Sequence, residues 1–176
     1  MKKKFLLLII AFFGVSVTVN AQKGNNAIQV SGQLALPVSS LSDIAKTGFG
    51  GAVKGIYGFS ENNQQFTLEA GYNRFSVKEL PMEIDANYSV ISILPGYRHT
   101  FGNFVLEPQV GFASNRVGVS YEGESATETK TSFAWAAGVS YLFNKVELGI
   151  KYQTSELSDS DNISFIGIRL GYNFSL

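Results

Sequence analysis

Few residues in this sequence could do acid–base or nucleophilic chemistry. The chain has a single histidine, His99, and no cysteine, which excludes thiolate nucleophiles, thiolate metal sites and disulfides. A general base must lie within hydrogen-bonding reach of the group from which it takes a proton. The sequence offers no serine and carboxylate in a pattern that would meet His99. We therefore predict that His99 is a structural or surface residue and that the chain has no catalytic residue and no cofactor.

Two short segments have the composition of ligand sites without the spacing. The segment Asp159–Asn162 (Asp-Ser-Asp-Asn) offers oxygen ligands for Ca²⁺. It lacks the glycine and the distal glutamate of an EF-hand loop, so a solvated acidic loop and no metal site are predicted. Four glycines between Gly48 and Gly55 resemble a phosphate-binding loop. Because no Gly-Lys-Ser/Thr ending and no helix follow them, we predict close backbone packing there.

Seven charged residues lie in segments where polar and apolar residues alternate, each on the polar side. Four of them are cations and three are anions, so they could neutralise one another in a confined space. Without partners, each would destabilise a buried interior by several kcal/mol. They are Lys54, Glu69, Arg98, Glu107, Glu147, Lys151 and Arg169.

The alternation defines eight predicted β-strands. Glycine, tyrosine and phenylalanine are abundant and charged residues are scarce, which favours an all-β protein. We expect a bulge or weak pairing at Pro108, a slip of the alternation near Arg74 and Phe75, and a register around Leu94 that the sequence leaves open. The predicted strands are Ala27–Leu36, Gly48–Phe59, Phe66–Phe75, Ser89–Arg98, Phe104–Phe112, Phe133–Phe143, Val146–Gln153 and Ile163–Leu176.

The connections between these strands alternate in length. Long ones follow the first, third, fifth and seventh strands, and the longest, Arg116–Lys130, is predicted as an exposed loop. Short turns follow the second, fourth and sixth strands. Ten of the fourteen acidic residues fall in the long connections, so this rim should be negative. They are Asp43, Glu79, Glu83, Asp85, Glu122, Glu124, Glu128, Glu156, Asp159 and Asp161.

The first 21 residues have the pattern of a secretory signal peptide. Lys2–Lys4 form a positive n-region, Phe5–Val19 an apolar h-region, and Val19-Asn-Ala21 a small-residue cleavage site. The apolar run is shorter than the ~20 residues that a membrane-spanning helix needs. We therefore predict that residues 1–21 are a cleaved signal peptide and that residues 22–176 form one domain.

The two strand faces decide between a soluble and a membrane barrel. A soluble lipocalin-like barrel lines a cavity with apolar residues and carries its charges outside. Here one face is apolar, with aromatic residues such as Phe66 and Phe143 at strand ends, and the other carries the seven charges. Aromatic girdles and a polar lumen are typical of transmembrane barrels. We predict an all-β, eight-stranded, antiparallel, up-and-down transmembrane β-barrel.

The closing strand, Ile163–Leu176, ends in the string Arg169-x-Gly171-x-x-Phe174-x-Leu176. This string resembles the C-terminal assembly signal of outer-membrane β-barrels. Together with the signal peptide and the alternating connections, it makes residues 22–176 similar to the small eight-stranded outer-membrane barrels of the OmpX and OmpA transmembrane-domain type, often called porin-like. The resemblance implies an outer-membrane location in a diderm bacterium, contact with membrane lipids and lipopolysaccharide, and recognition by the barrel assembly machinery.

The functions of this family are mixed, so the fold does not provide one. Lipid A deacylases of this fold use a His, Ser and Glu set high on neighbouring strands, whereas His99 lies near a predicted periplasmic turn. An eight-stranded interior is filled by side chains, which argues against a wide pore. We predict a structural or surface-interaction protein with four acidic extracellular loops and no enzymatic activity.

Other functions remain open at this point. The main alternative is a narrow passive channel, and a lipid A-modifying enzyme or a soluble lipocalin-like binder is less favoured. The acidic rim could bind divalent cations that bridge lipopolysaccharide phosphates, or basic partners. No nucleic acid is expected, and the residues do not identify an extracellular partner.

Overall fold

The computed structural model describes residues 26–60, 63–78, 84–121, 124–157 and 162–176. Eight antiparallel strands form a closed barrel in sequence order, and the last strand pairs with the first, as the sequence predicts. No helix in these residues is long and apolar enough to cross a membrane. The strands are β1 (Ala27–Val38), β2 (Gly48–Gly58), β3 (Gln64–Ser76), β4 (Ile84–Phe101), β5 (Phe104–Tyr121), β6 (Glu124–Phe143), β7 (Val146–Glu156) and β8 (Ile163–Ser175); one short helix, α1 (Ser40–Ile44), lies between β1 and β2.

Each strand turns its polar face to the interior and its apolar face outwards. In β3, for example, Glu69 is completely buried while Leu68 is exposed on the outer face. The alternation continues to the end of this strand, with Arg74 exposed and Phe75 buried. The predicted slip near Arg74 is therefore wrong. Phe75 points inwards because it packs in an apolar layer described below. Leu94 of β4 also points inwards.

The pairing of β4 with β5 is weak near Pro108, but β5 has no bulge there. The register of β4 and β5 is the same at the pair Ile93 and Phe112 as at the pair His99 and Leu106, because six residues separate the two pairs on each strand. Neither strand therefore contains an extra residue, and a bulge is excluded. Between these pairs only Gly96 and Gln109 face each other, and the interrupted positions include Pro95 of β4 as well as Pro108 of β5. Proline cannot donate to a ladder, which explains the interruption.

The predicted exposed loop Arg116–Lys130 is largely strand. β5 and β6 stay paired as far as Tyr121 and Glu124, whereas β7 pairs with β6 only as far as Phe133. The third outer connection is thus a long β-hairpin that extends beyond β7 on one side, whereas β4 stays paired with β5 as far as Ile84 and Tyr121 on the other. The first outer connection also contains structure, because it includes α1.

The other end of the barrel has tight turns and an aromatic belt. Gly102 and Asn144 adopt positive φ in the β4–β5 and β6–β7 turns, with φ of 61° and 57°. Around them the outer faces carry aromatic residues, including Phe59 stacked on Phe66 at a ring distance of 4.4 Å. Tyr141 packs against Phe143 at 4.4 Å. Such belts mark the level of the membrane interface.

Candidate functional site

Glu69 lies at the centre of the barrel lumen and contacts three cations. Lys151 Nζ donates to its Oε1 at 2.6 Å. Arg169 donates to both carboxylate oxygens, at 2.6 and 2.8 Å. Lys54 Nζ lies 3.4 Å from Oε2. A bidentate arginine and two ammonium groups compensate for the removal of this carboxylate from water.

The remaining charges continue the network towards the aromatic-belt end. Lys54 also donates to Glu107 Oε2 at 2.6 Å. Arg98 binds Glu147 through both terminal nitrogens, at 3.1 and 2.8 Å, and lies 3.6 Å from Glu107. The structure therefore brings all seven sequence-identified charges into one cluster, in which the main partner of Arg98 is Glu147.

Neutral polar side chains complete the hydrogen bonding of this cluster. Gln29 donates to Glu147 at 2.8 Å, and Gln109 and Thr67 each donate to Glu107 at 2.9 Å. Each of the three carboxylates thus accepts from several donors at once. None is left as an available general base, and what the arrangement can do chemically is hold the strands together and fill the lumen.

Little space remains between these side chains. One cavity has a volume of about 20 Å³, which is room for about one water molecule. It is bordered by Lys54, Glu107, Glu147, Lys151 and Arg169. This cavity is too small for a hydrated solute.

A second layer closes the lumen on the side of the long connections, and the sequence analysis missed it. Phe75 packs against Phe165 and Tyr88 at ring distances of 5.5 and 6.5 Å. Leu41 of α1 is completely buried in the same layer. We call this set the outer apolar layer: Ala35, Leu41, Ala45, Phe75, Tyr88, Val90, Leu94, Ala113, Ala134, Ala136, Ile163 and Phe165.

Two sequence signals could have revealed this layer. Ile163 and Phe165 have the odd numbering of the lumen-facing residues of β8, as does Arg169. Gly48 is the second signal, because a methyl group there would lie 2.6 Å from the Phe75 ring. The predicted close backbone packing of this glycine segment is found at Gly48 and Gly50 but not at Gly55, where an added methyl group would meet nothing within 4 Å.

The predicted C-terminal signal residues divide between the two faces of β8. Arg169 is buried in the lumen, and Gly171 lies against Gln29, where an added methyl group would be 3.0 Å from the Gln29 amide carbon. Phe174 and Leu176 are exposed on the outer face, at the end that carries the aromatic belt. β8 pairs with β1 along its whole length.

His99 lies in the aromatic belt. Its ring packs against Phe101 at 4.2 Å, and its Nδ1 is 3.4 Å from the Tyr97 hydroxyl. Among the described residues, no three His, Asp or Glu side chains are close enough to hold a metal ion. The acidic segment considered for Ca²⁺ falls outside the described residues except for Asn162.

Several solved structures share this architecture. The attachment invasion locus protein Ail of Yersinia pestis, in complex with the heparin analogue sucrose octasulfate, matches with a TM-score of 0.67 and 21% identity over 87% of this chain and 100% of its own. Neisserial surface protein A gives 0.58 and 19% over 88% and 100%. The N-terminal β-barrel domain of Pseudomonas aeruginosa OprF gives 0.57 and 13% over 86% and 100%.

The sequence itself was compared with protein families and with curated proteins. No curated protein matches it. The family model for the outer membrane protein beta-barrel domain matches residues 5–174, nearly the whole chain. The closed eight-stranded barrel and its inward charges agree with that match, and the chain belongs to the family of outer membrane β-barrel domain proteins.

Proposed function

We propose that the protein is a cell-surface interaction protein that binds a partner polypeptide along the projecting β5–β6 hairpin. The observation that carries this proposal is an open strand edge. Residues 124–132 of β6 pair with β5 on one side, and no strand in the described part of the chain pairs with them on the other. Ala126–Thr131 are also exposed. Unpaired backbone N–H and C=O groups in such an edge can add a strand from another chain.

The filled lumen supports this function over the alternative of a passive channel. A channel needs a continuous water path, whereas the charge cluster leaves about 20 Å³ and the outer apolar layer covers it. The same filling supports a rigid scaffold, because paired charges and packed rings hold the strands that carry the hairpin. An enzymatic role has no support in the multiply bonded carboxylates.

The net charge of the outer connections indicates the charge of the partner. The four outer connections defined from the sequence contain ten acidic residues against four basic ones, Lys46, Lys78, Arg116 and Lys130. Ail was solved with an octasulfated heparin analogue. An excess of negative charge disfavours such a ligand here and favours a basic polypeptide.

The experiment removes the hairpin and keeps the barrel. Ser114 and Thr131 face each other in the β5–β6 ladder, and Tyr72 and Ile91 face each other in the β3–β4 ladder. Residues 115–130 and residues 73–90 are therefore each replaced by an Asn-Gly turn, because the outer part of β4 pairs with residues 115–121 of β5 and would otherwise become a new free edge. Binding of extended basic peptides to proteoliposomes is then measured by surface plasmon resonance. We expect the truncated protein to bind about tenfold or more weakly, because several main-chain hydrogen bonds of about 1 kcal/mol each are lost.

Two controls separate the edge from charge and from misfolding. The variant Glu128→Gln with Lys130→Gln keeps the strand edge and should bind like the wild type. Heat-modifiable gel migration shows that each barrel is closed. Equal binding by the truncated and wild-type proteins would contradict the proposal.

A further inference from the structure

A cavity of about 460 Å³ lies at the outer end of the barrel, next to the outer apolar layer. Tyr88 and Ile163 of that layer border it. Ile44 of α1, Val117 of β5 and Leu157, which follows β7, supply further apolar walls. Ile44 and Val117 are exposed, so the cavity is reached from outside. Its volume falls within the range of small-molecule sites, about 300 to 1,000 Å³. We call it the outer cavity.

The buried side of the outer cavity has two oxygen atoms without a hydrogen-bond partner. Tyr88 and Asn115 border the cavity and are only 5% and 4% exposed, so they lie at its bottom. The Tyr88 hydroxyl oxygen and Asn115 Oδ1 have no partner, whereas Asn115 Nδ2 donates to Ser132 at 3.1 Å. Tyr88 faces Val117 in the β4–β5 ladder, two positions beyond Asn115 on the same face, so the two side chains are diagonal neighbours. Buried polar atoms are rarely left unpaired, and a ligand with an O–H donor would complete this pair.

The open side of the outer cavity is negatively charged. Asp43 of α1 and Glu128 and Lys130 of β6 border it, and all three are exposed. Glu128 and Lys130 form an ion pair at 3.5 Å. Asp43 makes no ion pair and no side-chain hydrogen bond with any residue that the structure describes. Two carboxylates against one ammonium group favour a cationic ligand group over an anionic one at this mouth.

We propose that the outer cavity binds a small amine with an apolar body and a hydroxyl group at the end opposite the nitrogen. The apolar walls hold the body of the ligand. Its ammonium group pairs with Asp43 at the mouth, and its hydroxyl bonds to Asn115 Oδ1 and the Tyr88 hydroxyl at the bottom. The site does not use the unpaired edge of β6, so it is independent of the proposed polypeptide partner and adds a small-molecule ligand.

Three probes of similar shape separate these contacts. Tyramine has both the ammonium and the hydroxyl group, phenethylamine lacks the hydroxyl, and para-hydroxyphenylpropionate carries a carboxylate in place of the ammonium. Binding of each radiolabelled probe to the folded protein in phosphatidylcholine nanodiscs is measured by equilibrium dialysis, and empty nanodiscs correct for partition into lipid. We expect the wild type to bind tyramine about fivefold more tightly than phenethylamine, as for one neutral hydrogen bond, and to bind the propionate most weakly.

Variants at the two ends of the cavity should affect different probes. Tyr88→Phe and Asn115→Leu should each reduce the preference for tyramine and leave phenethylamine binding unchanged. Tyr88→Phe should not lower the urea concentration at which the barrel unfolds, because the hydroxyl has no partner in the protein. Asp43→Asn should weaken both amines alike, by about fivefold at low salt. Glu156→Gln is the matched control, because it removes an exposed carboxylate that does not border the cavity.

A bulkier wall residue tests the cavity itself. Val117→Trp should fill the outer cavity and abolish tyramine binding. Val146→Trp, at the other end of the barrel, should bind like the wild type and is a close control, because the two valines are 39% and 38% exposed. Heat-modifiable migration shows that each variant is folded. The proposal is overturned if Val117→Trp binds tyramine like the wild type, if the wild type binds the propionate as tightly as tyramine, or if tyramine binds no better than to empty nanodiscs.

Discussion

At the scale of single residues, Glu69 has the most consequential environment in the molecule. Its two oxygens are bound by cations of β2, β7 and β8, so one carboxylate of β3 is tied to residues 82 and 100 positions away in the sequence. Desolvation of this group is compensated only while its cationic partners are present. The same dependence holds in reverse, because those cations are buried as well.

Replacing Glu69 by leucine should lower the free energy of unfolding by roughly 3 to 5 kcal/mol, since three buried cations lose their shared partner. Urea unfolding of the protein in detergent micelles measures the change. Glu107→Leu and Arg98→Leu should also destabilise, because they leave Lys54 or Glu147 with fewer partners. Insertion into the membrane should remain normal for all three.

The comparison that isolates burial uses the exposed pair of Glu128 and Lys130, whose atoms lie 3.5 Å apart. Glu128→Leu should change the stability by no more than about 1 kcal/mol, because exposed ion pairs contribute little. If Glu69→Leu unfolds at the same urea concentration as Glu128→Leu, the lumen network does not stabilise the barrel.

The alternation of residue types predicted which charges face inwards but not which of them pair. A period of two assigns Arg98 and Glu147 to the polar face in any barrel register. Whether Arg98 meets Glu107 on the adjacent strand or Glu147 across the lumen depends on the stagger of strands around the barrel. That stagger is set by all eight strand pairs together, and no local pattern encodes it.

At the scale of elements, the secondary-structure predictions are wrong in two outer connections, where the sequence has no extended apolar pattern. In residues 116–130 the apolar or aromatic residues other than glycine are Val117, Val119, Tyr121 and Ala126, among Ser, Thr, Glu, Gly, Arg and Lys. The apolar alternation is too short to define two strands, so the segment is predicted as a loop. The helix α1 has only five residues, too few for a helical period. Leu41 was therefore not recognised as part of the barrel interior.

The closing strand β8 gives a prediction about assembly. We propose that the assembly machinery recognises the spacing of Arg169, Gly171, Phe174 and Leu176. Phe174→Asp, or deletion of the last three residues, should then block assembly, measured as loss of heat-modifiable protein in the outer-membrane fraction. Export should continue, because the predicted signal peptide acts earlier.

Stability alone predicts a different outcome for Phe174→Asp. An aspartate near the membrane interface destabilises a barrel only mildly, and the refolding of purified protein in detergent measures that effect without the machinery. Phe143→Asp, on the outer face of β6 in the same aromatic belt but outside β8, is the matched control. Normal assembly of Phe174→Asp with only reduced stability would show that β8 carries no assembly signal.

At the scale of the whole molecule, two layers of opposite chemistry close the lumen in series. The charge cluster fills the middle and the outer apolar layer, with α1, covers it on the side of the long connections. The end with the aromatic belt instead opens into a polar vestibule of about 560 Å³ that reaches Arg98. Solutes could therefore enter from one end without crossing the barrel.

Because the two layers lie one after the other, loss of either layer alone should leave the barrel closed to ions. Phe75→Ala with Phe165→Ala should open the outer layer but leave the charge cluster. Glu69→Ala with Lys151→Ala removes a bonded pair at the centre of the charge cluster and leaves the outer layer. In planar bilayers each double variant should remain as silent as the wild type, and only the combination of all four changes should conduct ions.

The physical reason is that an eight-stranded barrel is barely wider than the side chains that fill it, so a water path needs a gap in every layer. Heat-modifiable migration must first show that the quadruple variant is closed, because each buried Phe→Ala change costs about 3 to 5 kcal/mol. Conductance by the wild type would contradict the filled lumen and support a channel in place of the surface-interaction function. Conductance by the variant with only the outer layer opened would show that the charge cluster admits water, and that the apolar layer around Phe75 is the sole seal.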